Sequence, residues 1–361
     1  SGPDGKEAES FRKSDGLMDS HPADGQQEEA GFNVQIQNQL LQARSYFRHR
    51  QYRKALELFE SIEGSAENYW VEMGQCHYFL EDFKNARLYF QRALLSHPDD
   101  FAAKKFMAFS CYHLDQLETS LQFAREALVI SPDKELQAFI SRLGREVDLM
   151  KGYADKQTPN FKIIFSRNEH GDIKHTVIDM LNNAYRTIGK KLGHFPEKTI
   201  SVVLYNERLF FDITRAPAWA GGLFDGKIRI PIKGIRGREE LLKRVLFHEY
   251  THALVHDLTP SCPLWINEGL AEYFSARYPK AIGQVIPLTQ LAKDFSFRDS
   301  RMVALAYLES YSAVSFLISK FGMYRIRELL EALGKGSDFP KAFETVFLIR
   351  YEKFLKTWGK P

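Results

Sequence analysis

The sequence predicts a multidomain chain: an all-α superhelix of stacked helix pairs, followed by an α+β domain. Three observations carry this. Between residues 33 and 150, small residues, aromatics and prolines recur at a spacing near 34. From residue 161 the apolar period changes, and short runs rich in β-branched residues sit between helical stretches. One of those helical stretches carries His248-Glu249-Tyr250-Thr251-His252, and the next carries an acid, Glu268.

With 361 residues, 44% hydrophobic and 26% charged, the chain can bury two cores. The net charge of +3 is small and no dense basic run occurs, so nucleic acid is not an expected partner. No apolar stretch reads as approaching about 18 residues, so no membrane span is expected. Three cysteines, Cys76, Cys111 and Cys262, are too few for a disulfide framework. Two fall at apolar helix positions, where buried thiols are expected, and a single Cys76–Cys111 bridge stays open. Residues 1–32, rich in Gly, Asp, Glu, Ser and Gln, read as a disordered leader or linker. The chain starts at Ser1, so the sequence carries no reading of compartment.

The repeat emerges from alignment. Ala86, Phe90, Ala93 and Pro98 match Ser120, Ala124, Ala127 and Pro132 at an offset of 34. Ala55, Phe59 and Ile62 precede the first set by 31. Small residues suit positions where two helices approach closely, and a proline closes the second helix of a pair because it cannot continue it. Gly74 and Ala108 hold the equivalent small site in the first helix, with Trp70 four residues before Gly74. The pattern resembles tetratricopeptide repeats, over residues 33–150, with Glu135 to Leu149 as a capping helix. The resemblance implies a concave groove that takes a peptide or protein partner.

Residues 151–160 mark a boundary, and residues 160–361 form the second domain. Strands are expected at Phe161–Phe165 and Thr199–Tyr205, with an amphipathic helix at Thr176–Leu192 between them. Gly221 to Pro231 reads as a turn and then a strand ending at a proline, which an edge strand tolerates better than a central one. Helices are expected at Glu239–Asp257 and Leu264–Tyr278, then over most of 300–358 with a break at Gly334-Lys335-Gly336.

On a helix, His248 and His252 share a face, about 6 Å apart along the axis, within reach of one metal ion. Two histidines and a carboxylate with one open position form the ligand set of a catalytic zinc. Glu249 follows the first histidine, points to the side, and can act on water instead of binding the metal. An H-E-x-x-H match also occurs as polar residues on a solvated helix face. Here Val245, Leu246, Ala253, Leu254 and Val255 surround the pair, so the helix reads as buried, and buried His and Glu need partners. Asn267 and Glu272 are candidates to orient the ligands; metal-bound histidines usually pass their second N–H to a carboxylate, and Glu272 lies four residues after Glu268. His256 lies about 12 Å along the axis from His248 on a straight helix, too far to share the ion.

These segments resemble the gluzincin metallopeptidases, the class of thermolysin and the aminopeptidase N relatives. They look most like the bacterial peptidase MA-like, zincin-fold proteins that carry tetratricopeptide repeats. The resemblance spans about Phe161 to Trp358, and its specific part lies between His248 and Phe274. It implies that His248, His252 and Glu268 bind zinc and that Glu249 is the catalytic base. The gap of fifteen residues between His252 and Glu268 is shorter than is usual in the family. It implies an oxyanion-assisting tyrosine at Tyr307, with Tyr311 in reserve, although both also read as core tyrosines. It implies too that extended substrate backbone pairs with the strand at Gly222, Leu223 and Phe224. The aminopeptidase subgroup has an acid near Gly222 that binds the substrate's free amine; Trp219-Ala220-Gly221-Gly222-Leu223 lacks one, so aminopeptidase specificity is unsupported. The expected function is zinc-dependent peptide hydrolysis, with the repeats recruiting a protein substrate or partner. Two alternatives stay open: a repeat scaffold whose peptidase-like domain is silent, and a zinc hydrolase acting on a non-peptide substrate. By analogy with the family, a bacterial envelope or periplasmic setting is one candidate and the cytoplasm another.

Overall fold

The computed structural model describes residues 22–62, 69–168, 173–214, 216, 220–232, 238–275, 286–292 and 300–358. The chain divides into two compact units, residues 1–140 and 141–361.

The first unit is helical: α1 (Pro22–Arg48), α2 (Tyr52–Ser61), α3 (Trp70–Phe79), α4 (Phe83–Ser96), α5 (Phe101–His113), α6 (Leu117–Ile130) and the start of α7 (Lys134–Met150). Consecutive helices pack on one another from α1 through to α6. The turns α1–α2, α3–α4 and α5–α6 are built alike. Arg50, Glu81 and Asp115 each take a left-handed conformation, with φ of 58°, 60° and 60°. In each turn the next residue's amide donates five residues back: Gln51 to Tyr46, Asp82 to His77 and Gln116 to Cys111. These residues sit 31 and 34 apart, the offsets of the sequence pattern. Asp82 and Asp100 cap α4 and α5 by accepting from the amides of Asn85 and Ala103.

Close approach explains the small residues. A Cβ on Gly74 would stand 2.6 Å from the Phe90 ring, and Ala86, Phe90, Ala93, Ala108, Ala124 and Ala127 are all buried. Cys76 and Cys111 are free thiols in separate apolar clusters, so the bridge left open by the sequence is not formed. Burial is the main cause that pushes their thiols up, to about 12 and about 11. The leader expected over 1–32 is cut short, because α1 begins at Pro22, a residue tolerated in a first helical turn; residues 1–21 lie outside the described residues.

The second unit holds the rest of α7, then β1 (Tyr153–Gln157), β2 (Phe161–Ser166), α8 (Lys174–Leu192), β3 (Ile200–Asn206), α9 (Glu207–Thr214), β4 (Leu223–Phe224) and β5 (Ile228–Ile232). Helices α10 (Glu239–Leu258), α11 (Leu264–Phe274), α12 (Leu288–Leu291), α13 (Ser300–Phe321), α14 (Met323–Gly334), α15 (Phe339–Phe347) and α16 (Tyr351–Thr357) follow. The sheet is mixed, in the order β1-β2-β3-β5-β4: β2, β3 and β5 run parallel, while β1 and β4 are antiparallel edges. Alternation splits β3 between two cores. Val202 and Leu204 join the large cluster with α8 and α10, whereas Val203 and Tyr205 pack with Phe210 and Ile213 of α9.

Four expectations change. Residues 153–157, inside the stretch read as a domain boundary, form strand β1; Tyr-Ala-Asp-Lys-Gln has no apolar alternation because an edge strand at the surface needs none. The strand before Pro231 is internal, and the edge is the short β4 ahead of it. Asp225-Gly226, with Gly226 at φ 93°, turns the chain between them. Pro231 is tolerated because β4 pairs only with Ile228 and Arg229. The first unit ends inside α7, not at residue 150; the second half of α7 buries Glu146 against Arg229 in the second unit. Finally, α13 over Arg301–Phe321 is apolar and long enough, by length and composition, to cross a membrane, which the sequence reading did not anticipate. Its buried side holds Ala306, Ala313, Val314 and Leu317 in the large core and also Glu309 and Ser310.

Gly74→Ala should cost about 1–3 kcal/mol, because Phe90 is fully buried and has nowhere to move. Chemical denaturation of the full chain checks this, and an unchanged midpoint would contradict the close packing.

Candidate metal centre

Helix α10 is long and uninterrupted by Gly or Pro. Glu239 and Glu240 sit in its first turn and His256 in its last, each matching the helix dipole. It carries His248, Glu249 and His252 on the side facing α11 and β4. Helix α11 begins after Pro263 and brings Glu268, in its second turn, against both histidines. Helix α13 lies against α11 at van der Waals limit: a Cβ on Gly269 would stand 2.4 Å from the Ser310 carbonyl oxygen.

Three donor atoms converge. His248 Nε2 and His252 Nε2 are 3.1 Å apart, and Glu268 Oε2 lies 3.5 and 3.4 Å from them. A tetrahedral zinc bonded at about 2.0–2.1 Å spaces its donors about 3.3–3.4 Å apart. His252 is 9% exposed, and Glu268 Oε2 is buried with no hydrogen-bond partner. Two imidazole nitrogens facing each other beside an orphaned carboxylate oxygen fit a shared cation. They fit an apolar core poorly, because each buried polar atom needs a partner. The residues present therefore suit a divalent metal, and the mixed nitrogen and oxygen set suits zinc.

Electrostatics agree. Burial opposes charge on both His252 and Glu268, yet their attraction wins: His252 is pushed up to about 9, and the two imidazoles hold Glu268 well below the usual carboxylate range. Glu249 is buried too, and there desolvation dominates and raises its carboxyl, against the pull of His248 and His252. Burial, followed by the charges of Glu268, Glu249 and Glu272, raises Tyr307 above the usual phenol range.

The other candidates fall into place unevenly. Glu272, also buried, has Oε1 3.6 Å from His248 Nδ1, a charge partner just beyond hydrogen-bond length. His252 Nδ1 and Asn267 Oδ1 are both buried without a hydrogen-bond partner, although Asn267 is near enough to favour the charged imidazole. Tyr307 meets His248 edge-on, with ring centroids 6.3 Å apart; Tyr311 is half-buried one turn further along α13. Leu223 and Phe224 form the edge strand β4. Gly222 does something the sequence did not reveal: a Cβ there would stand 2.7 Å from Glu249, so glycine lets the strand pass beside that side chain. His256 lies outside the cluster and packs edge-on with Phe224 at 5.3 Å.

Sequence reasoning also missed Arg229. It is buried in β5, where Ile-Arg-Ile reads as ordinary strand alternation. Its guanidinium contacts Glu146, Asp225 and Tyr205.

Residues 182–360 match the Peptidase MA superfamily. That stretch holds the whole donor cluster, and the match supports a peptidase-like domain of this clan in the second unit. The chain is also similar to a Bacillus subtilis (strain 168) protein described as uncharacterized protein YhcO, 29% identical over 133 residues. That similarity covers 33% of this chain and 41% of the relative, so the chain spans under half of the relative's length.

Gly269→Ala should separate α11 from α13 and weaken metal binding by moving Glu268 away from the histidines. Zinc titration monitored by calorimetry reads this directly, and wild-type affinity in a folded variant would contradict it.

Proposed function

We propose that the second unit is a zinc-dependent peptidase of the gluzincin type. The observation that carries this is the donor triangle of His248, His252 and Glu268, with the buried Glu249 beside it and an open strand edge at β4. The three residues would hold the zinc. When bound, zinc supplies Lewis acidity, which acidifies water and polarises a substrate carbonyl.

The protein's own groups do the rest. The edge of β4, unpaired among the described residues, takes the substrate backbone as an added strand, alongside Glu249. Glu249, its carboxyl raised by burial, accepts the proton of the attacking water and delivers it to the leaving amine as the C–N bond breaks. Burial, with the charges of Glu268, Glu249 and Glu272 adding to it, keeps the proton on Tyr307, so it donates to the developing oxyanion. Glu272 orients His248 through its Nδ1 atom, which leaves Nε2 for the metal, and Asn267 lies near His252. The helix pairs of the first unit act as tetratricopeptide repeats that recruit a protein substrate or partner; their three equivalent turns at offsets of 31 and 34 support this.

The test is metal content together with hydrolysis of a quenched fluorescent peptide library. Wild type should carry about one zinc per chain, and Glu268→Ala should lose it. Glu249→Gln should keep the zinc and lose hydrolysis by about a thousandfold or more. A wild-type protein that takes up no zinc would sink the reading, as would an active Glu249→Gln variant. Tyr307→Phe should lower kcat about 10–1000-fold, with Tyr311→Phe close to wild type; the reverse result would move the oxyanion role to Tyr311.

A further inference from the structure

We propose that Arg229 is a positioning residue: held by Glu146, it fixes the β4–β5 hairpin through Asp225 and so sets where the substrate-facing strand runs beside Glu249. The consequence for substrate rests on the peptidase reading above; the clamp itself does not.

The geometry is specific. Arg229 and Glu146 are each 1% exposed and lie 2.8 Å apart. On another edge of the same guanidinium, Nε donates to both Asp225 oxygens, at 3.0 and 3.1 Å. Its NH1 group also donates to the Tyr205 hydroxyl. Asp225 directly follows Phe224, the last residue of β4, and opens the turn at Gly226. The β4 ladder is only two residues long, Leu223 against Arg229 and Phe224 against Ile228, so backbone pairing alone holds it weakly. Arginine suits the site because its planar fork bonds two carboxylates at fixed angles, which a lysine ammonium does not. Burying such a pair is no efficient way to gain stability. Its effect is to fix one geometry, and the geometry fixed here lies next to Gly222, which touches Glu249.

A substrate added to β4 inherits that placement. Loosening the clamp therefore weakens substrate binding in register, more than it removes the reacting groups. Asp225→Asn, Glu146→Gln and the double variant test this in the full-length protein. Asp225 is partly exposed, so Asp225→Asn keeps the test alive if Glu146→Gln does not fold.

The first readout is amide hydrogen exchange in metal-free protein. Residues 222–226 should exchange about tenfold faster or more in either single variant, with β2 and β3 unchanged. The double variant should be no faster than the quicker single one, because both act through the same guanidinium. Unchanged exchange at 222–226, or faster exchange spread evenly over the sheet, would overturn the clamp. The second readout is hydrolysis of the quenched fluorescent peptide library by zinc-loaded protein. KM should rise about tenfold with kcat within about threefold of wild type. A purely structural defect would lower the active fraction, reducing kcat and leaving KM alone, and that result also counts against the proposal. If exchange changes as expected but the wild type cleaves no peptide, the clamp stands and the peptidase reading falls.

Discussion

A half-buried carboxylate, one oxygen inaccessible, set beside two imidazoles is the constraint on which the second unit turns. Glu268 is half-buried, but its Oε2 is inaccessible and has no hydrogen-bond partner. Such a group is costly unless a cation faces it. His248 and His252 can serve only if they reach it together, which needs α10 intact over one full turn and α11 pressed against it. The second requirement reaches further. Helix α11 must be thin on its opposite side so that α13 can close over it, and Gly269 against the Ser310 carbonyl makes it so. Tyr307 then arrives at the site because α13 has come that close.

The sheet solves a different problem, which is to present free backbone beside Glu249. An internal strand cannot do this, since its N–H and C=O groups are already paired. The fold instead turns the chain at Asp225-Gly226 and leaves β4 as a short outer edge. Short edges are weakly held, and side-chain bonds from Arg229 make up the difference. Gly222 gives the strand room to pass Glu249. The same few residues thus trade strand length for accessible backbone.

How much of this was legible follows from where the information sits. The donor cluster could be read because helical geometry ties His248 to His252 locally, and an apolar frame around a polar pair demands a partner. The helix pairs could be read because close packing restricts Gly74, Ala86 and Ala124 to small residues at a repeating interval. The edge strand was misassigned because both β4 and β5 are apolar enough, and only pairing order separates them. The bonds of Arg229 lie beyond any local pattern, since Glu146 is 83 residues upstream. Strand β1 had no signal because one side of it faces solvent and its partner supplies the register.

The two tyrosines show how structure narrows what spacing leaves open. On sequence, Tyr307 and Tyr311 share a helix face and differ by one turn. In the fold, Tyr307 meets His248 edge-on and feels the charges of Glu268, Glu249 and Glu272, whereas Tyr311 lies one turn further along α13. Burial disfavours a phenolate and the three carboxylates add to that, so the Tyr307 hydroxyl holds its proton more tightly than an ordinary phenol. A group that cannot give up its proton is no base, but it is a dependable hydrogen-bond donor. In the proposed reaction, negative charge building on a substrate oxygen would meet that donor. Under the proposed function, a Tyr307 that holds its proton is the hydrogen-bond donor a developing oxyanion would need.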